Sequence, residues 1–289
     1  MAVIGDSVAQ NHFEFLLCLL SQVSSNSDAC VLCVVSSMIY DINLQEESPK
    51  DIYKDFEDHF TTWYFPQHDF TLMKLWSKFL IAAEERMVNG KGSSIFDLQL
   101  DKVDEKWAEH LPDLDYAIFS AGHWFNRIMY LHQGGNLIGC FYCGEPNVTN
   151  YNGSHIVHLA FRTAFKYIMD CKYCKGGLLT LLRTFTPAHF EGGVWNTSGY
   201  CNQMSPLSEA DIDLGRSDWE LRSIQVEEIE RARKEGEVQG KTFRVLDVTR
   251  AMFMSRTGTS ELTGTSGWTV TTIACIGACQ ALLITGTIF

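Results

Sequence analysis

The chain reads as an α/β domain with a mainly parallel sheet covered by helices on both faces. Two observations predict this. Short apolar runs alternate with longer amphipathic stretches, the pattern of βαβ units. The 289 residues are 46% hydrophobic, enough for a large core in one globular domain and too apolar for disorder.

The elements follow in order. Met1–Ile4 is a short buried strand, and Val8–Leu20 is a helix with Phe13, Leu16, Leu17 and Leu20 at helical spacing. Asp115–Ser120 is a strand ending at Gly122-His123-Trp124. His155–Asp170 is a helix whose apolar face includes Ile156, Ala160 and Phe161. Gly176-Gly177 breaks it before a strand over Leu178–Phe185. Ser217–Glu235 is a charged helix, and Thr242–Leu246 is a further strand. Ligands of such folds bind at the carboxyl ends of the strands, where Ser7, His123 and the loop after Phe185 all fall.

Gly5-Asp6-Ser7 stands at the first of these strand-to-helix turns. A serine there meets unpaired backbone N–H groups and the positive end of the helix dipole, which suits an acyl-transfer nucleophile when an oxyanion forms. Asp and Ser are equally ordinary helix caps, so the tripeptide alone leaves both readings open.

A net charge of −12 argues against nucleic acid or an anionic membrane surface as partner, and places no such bar on a neutral polysaccharide. There are ten cysteines. Cys140-x-x-Cys143 and Cys171-x-x-Cys174 could be halves of a zinc ribbon or disulfides of a secreted protein. Sequons at Asn147, Asn152 and Asn196 favour the secretory pathway as glycosylation sites. No signal peptide precedes Met1, so a missing N-terminus is expected. The stretch from Arg183 to Asn196 is dense in Arg, His and Trp, with Arg183, His189 and Trp195 suited to hydroxylated sugars or, equally, to a packed loop.

Three ordered strings carry a resemblance: GDSVAQNHFEFLLCLL from Gly5, FSAGHWF over 119–125, and RTFTPAHFEGGVWNTSGYC over 183–201. They resemble motifs of the plant trichome birefringence-like family, and Gly139–Cys143 resembles its xyloglucan and mannan acetyltransferase branch. The resemblance covers most of residues 1–258. It implies a three-layer SGNH/GDSL-esterase-like domain and a Golgi membrane protein with its domain in the lumen. The N-terminal anchor of that family is absent from this chain. The implied activity is O-acetylation of a cell-wall polysaccharide from a donor such as acetyl-CoA, with no bound cofactor or metal. Ser7 would be the acylated nucleophile, with Gly5, Asp6, Asn11, Gly122 and His123 supporting it or its oxyanion. Arg183, His189 and Trp195 would bind substrate.

The chain departs from that pattern at three places. Gln10 stands where the family carries Arg. The family's catalytic D-x-x-H is absent, and an uncharged run follows Leu262. Shifting the reading frame by one base from Thr272 can spell Asp-Cys-x-His-Trp-Cys-Leu-Pro-Gly-Pro, so 259–289 reads as a frameshifted catalytic end. The rival reading is a membrane anchor over Trp268–Phe289. Residues 23–45 interrupt a string that runs on directly in the family, and they read as a retained in-frame intron or a genuine loop. Three function classes follow: a polysaccharide O-acetyltransferase, an esterase, and a non-catalytic polysaccharide binder. Lacking its base, the polypeptide as written is expected to be inactive or nearly so.

Overall fold

The computed structural model describes residues 1–21, 49–187 and 214–254. The expected insert, most of the 183–201 string including His189, Trp195 and Asn196, and the 259–289 tail lie outside the described residues.

Strand β1 (Ala2–Gly5) lies at the centre of a seven-stranded sheet. Its neighbours are β4 (Phe70–Trp76) and β7 (Tyr116–Ser120), both parallel to it. Beyond β7 come β10 (Leu179–Arg183) and β11 (Thr242–Leu246), also parallel. Beyond β4 the sheet turns antiparallel through β3 (Phe60–Phe65) and β2 (Lys50–Lys54). The sheet is therefore mainly parallel, as the alternation of elements predicts.

The two faces follow from the two-residue period of a strand. Val3, Leu72 and Ile118 face helix α1 (Ser7–Ser21), where Ala9, Phe13 and Leu16 meet them. Ala2, Ile4, Ala117 and Phe119 face the other way, into the main core. That core is closed by α3 (Gly153–Asp170) and α4 (Ser217–Glu237), giving three layers. Between β7 and the chain before it lies a short α2 (Glu105–Ala108) whose Trp107 is fully buried.

A second sheet, not foreseen from the sequence, orders as β5 (Ile81–Val88), β6 (Lys91–Val103), β8 (Ile128–Gln133) and β9 (Asn136–Phe141). Its Phe96, Leu98 and Leu131 join the main core, which makes it part of the same domain.

Two expectations are corrected. The strand expected over Leu178–Phe185 ends at Arg183, and just past its end the Thr184 hydroxyl accepts the N–H groups of Val248 and Thr249 at 2.9 and 3.2 Å. There it caps α5 (Thr249–Met254). The zinc-ribbon alternative also fails. Cys140 bonds to Cys143 and Cys171 to Cys174, so the four sulfurs stand as two covalent pairs rather than as thiolates open to a metal. Among the described residues no helix is long and apolar enough to cross a membrane.

Candidate active site

The turn after β1 is held from both sides of the sheet. Gly5 C=O accepts the Ser77 N–H at 2.8 Å, and Asp6 N–H donates to Ser120 O at 3.2 Å. Gly5 has φ +147°, and a Cβ there would lie 1.8 Å from Ser120 O, so the tight approach to β7 requires glycine. Ser7 opens α1 and is half-buried, with the N-terminal end of the helix behind it.

Asp6 is fully buried and spends both carboxylate oxygens. Oδ1 accepts the Val8 N–H at 3.0 Å, which caps α1. Oδ2 accepts the N–H groups of Gly122 and His123 at 3.1 and 3.0 Å. Asp6 is thus both the ordinary cap and a bridge to the loop after β7. The Gly122 N–H is committed to Asp6 rather than open towards Ser7. Gly122, at φ +147°, leaves room for Phe185, whose Cδ2 would lie 2.8 Å from a Cβ.

The His123 ring stacks on Phe185, with centroids 4.3 Å apart. Its Nε2 lies 3.0 Å from Thr186 O. A carbonyl only accepts, so Nε2 carries a proton and donates there. The buried Nδ1 has no hydrogen-bond partner and stands 3.6 Å from Asp6 Oδ2. With Nε2 given to the Thr186 carbonyl and the ring stacked on Phe185, His123 ties the loop after β7 to the loop after β10.

Arg183 is buried, not directed at solvent. Its guanidinium donates to Thr184 O at 3.3 Å, to the Thr186 hydroxyl, and towards Met252 Sδ at 3.0 Å. Burial lowers its pKa to about 9, against an opposing pull from the Asp6 charge. His12, one turn beyond Ser7 on α1, is also buried. Burial first, then the charges of Arg183 and His123, push its pKa well below the usual imidazole range, so it is held neutral. Asn11 is half-buried on the same turn.

The structure therefore brings Gly5, Asp6, Ser7, His12, Gly122, His123 and Arg183 to one end of the sheet. Asn147 and Asn152 stand apart and exposed after β9, Asn152 capping α3 through His155 N–H at 2.8 Å. Among the described residues, Asp55, Glu57 and His59 place three possible ligand atoms within 4.8 Å of one another. Asp55 is already engaged by Phe60 N–H, and Glu57 pairs with His59 at 3.0 Å. Gln225, on α4, is a site residue that sequence reasoning missed. Its signal was helical spacing, since 225, 229 and 232 share a face and put a glutamine in line with buried Ile229 and Ala232.

Residues 1–272 match a family described as PC-Esterase, a GDSL/SGNH-like acyl-esterase family found in Pmr5 and Cas1p. The chain belongs to this family. Within it, the chain is 51% identical over 258 residues to xyloglucan O-acetyltransferase 4 of Populus trichocarpa, covering 89% of this chain and 56% of that protein. It is 44% identical over 259 residues to xyloglucan O-acetyltransferase 2 of Arabidopsis thaliana, covering 89% of this chain and 57% of that protein. Protein trichome birefringence-like 19 of Arabidopsis thaliana is 36% identical over 259 residues, covering 89% of this chain and 55% of that protein. The chain spans about half the length of the curated relatives it matches. In this PC-Esterase chain the Asp6-capped turn, its glycine and the Gly122-His123 loop meet beside Ser7 at the carboxyl end of the central strand.

Proposed function

We propose that the chain carries the acyl-serine site of a cell-wall polysaccharide O-acetyltransferase, with xyloglucan or mannan as acceptor. The observation that carries this is Ser7 at the first turn of α1, at the carboxyl end of the central strand, on a turn locked by Asp6. Relatives named xyloglucan O-acetyltransferases favour xyloglucan.

Ser7 Oγ attacks the carbonyl carbon of an acetyl donor such as acetyl-CoA. The bond to the leaving group breaks, and the serine proton passes through a base to that group. A sugar hydroxyl then attacks acetyl-Ser7, and its proton returns to Ser7 Oγ. The base is the His of the D-x-x-H that the resemblance implies. No D-x-x-H occurs in this sequence. Of the described histidines near the turn, His12 is buried and His123 gives Nε2 to Thr186 O. The polypeptide as written is therefore expected to transfer acetyl groups slowly or not at all.

Localisation in the Golgi lumen behind an N-terminal membrane anchor is part of the same proposal. It is supported by two disulfides and by exposed sequons at Asn147 and Asn152. The esterase reading shares the first half-reaction and differs only in water taking the acetyl group.

The test uses two proteins: the chain as written, and one with 259–289 replaced by the shifted-frame translation. Each is mixed with acetyl-CoA and a xyloglucan oligosaccharide, and acceptor mass is followed. The expected result is transfer by the restored protein, abolished by Ser7→Ala, with little from the original. Equal transfer by both would overturn the missing-base reading, and transfer surviving Ser7→Ala would overturn the nucleophile. Acetate release without acceptor modification would favour the esterase.

A further inference from the structure

We infer that Gln225 is a positioning residue that sets the geometry of the serine site by clamping two of its loops from helix α4. The Gln225 side chain is fully buried, on the helix side that also buries Glu228, Ile229 and Ala232. A buried amide is costly unless both of its ends find partners. Here each end does, and the partners belong to different loops. Nε2 donates to Ala121 O at 2.8 Å, in the loop after β7. Oε1 accepts the Phe185 N–H at 2.6 Å, in the loop after β10.

The consequences run to Ser7 through named contacts. Ala121 precedes the Gly122 and His123 N–H groups that hold the Asp6 carboxylate. Phe185 is the ring on which His123 stacks, and Thr186 supplies the carbonyl that fixes Nε2. Asp6 caps the helix that opens with Ser7. Gln225 closes this circuit where no backbone ladder does, because the β10–β7 pairing ends at Leu182 and Phe119. Removing the amide lets the two loops move apart, and the first group to feel it is His123, which touches both.

The test follows His123 in the full chain. Gln225→Leu is compared with wild type and with Ile229→Ala, a core substitution on the same face of α4 whose aliphatic side chain makes no hydrogen bond to either loop. Ring-nitrogen NMR of labelled histidine reads the His123 tautomer, and a fluorophosphonate reads Ser7. Gln225→Leu is expected to move the His123 resonances and to slow Ser7 labelling about tenfold or more. Ile229→Ala is expected to lower the melting temperature while leaving both readouts at their wild-type values. Should Gln225→Leu not fold, Gln225→Glu keeps the bulk and the Phe185 acceptor but sets an oxygen against Ala121 O, and is expected to act in the same direction. His123 resonances unchanged in a folded Gln225 variant would overturn the clamp. Only the labelling arm rests on the proposed role of Ser7, and it is run on the protein whose 259–289 carry the shifted-frame end: a Ser7 inert to the reagent there would overturn that role and leave the clamp to be judged by His123.

Discussion

One carboxylate oxygen of Asp6 meets His123 twice, accepting its backbone N–H at 3.0 Å and lying 3.6 Å from its ring Nδ1. This places the residue beside the nucleophile candidate and the residue that links two loops in a single buried contact. Asp6→Asn keeps one acceptor where three N–H groups now need two, so either the α1 cap or the loop anchor is lost. The expected cost is about 2–3 kcal/mol, read as a lower urea midpoint. A change below about 0.5 kcal/mol, the scale of an ordinary surface substitution, would show that the bridge contributes nothing.

Gly5→Ala puts a Cβ 1.8 Å from the Ser120 carbonyl oxygen, which is backbone and cannot swing aside. The β1–β7 approach must open, at about 3 kcal/mol or more. The variant is expected to express poorly or to melt well below wild type, and wild-type thermal stability would refute the close approach.

Arg183→Met removes a buried cation that depresses His12. The His12 midpoint should rise, yet stay below its ordinary value of 6.5, because burial remains the larger cause. The linkage has a definite sign. His12 binds protons more weakly folded than unfolded, so the wild type loses stability as pH falls below about 6.5, until the folded-state midpoint is reached. In Arg183→Met that loss should shrink. Histidine NMR titration and stability measured at several pH values check both halves.

Glu228 has no solvent-exposed surface, and Arg162 and Arg231 grip it from α3 and α4 with bonds of 2.8 and 2.7 Å. Burial by itself would raise its pKa, but those hydrogen bonds outweigh it and hold the value below the ordinary 4.5. Its contribution is therefore complete above about pH 4.5 and fades as pH falls through the folded-state value. Glu228→Gln should cost about 2 kcal/mol at neutral pH and flatten the acid limb of stability. An acid limb as steep as wild type would assign that slope to other carboxylates.

Much of the main sheet was legible because its elements announce themselves locally. Met1–Ile4, Asp115–Ser120 and Thr242–Leu246 are apolar runs that match β1, β7 and β11 to within a residue or so, and α3 begins two residues before the expected His155 because Asn152 caps it. The second sheet was not legible. Ala82 to Arg86 would suit a helix on propensity alone, and only pairing with β6 makes that stretch a strand. The Gly5-Asp6-Ser7 turn could be found from its strand-helix setting, but the bond from Asp6 to Gly122 spans 116 residues and leaves no mark in local pattern. Arg183 misled for the same reason. An arginine at a strand end reads as a hand held out to ligand, whereas here it is enclosed by Thr186 and Met252.

Helix α1 begins at Ser7 and ends at Ser21, so at about 1.5 Å per residue its two ends stand some 22 Å apart. A change in chain length made after Ser21 is therefore introduced about four turns of helix away from Ser7. The Gly5-Asp6-Ser7 turn need not be reset by it, which makes the end of α1 a natural seam for insertions and deletions in the laboratory.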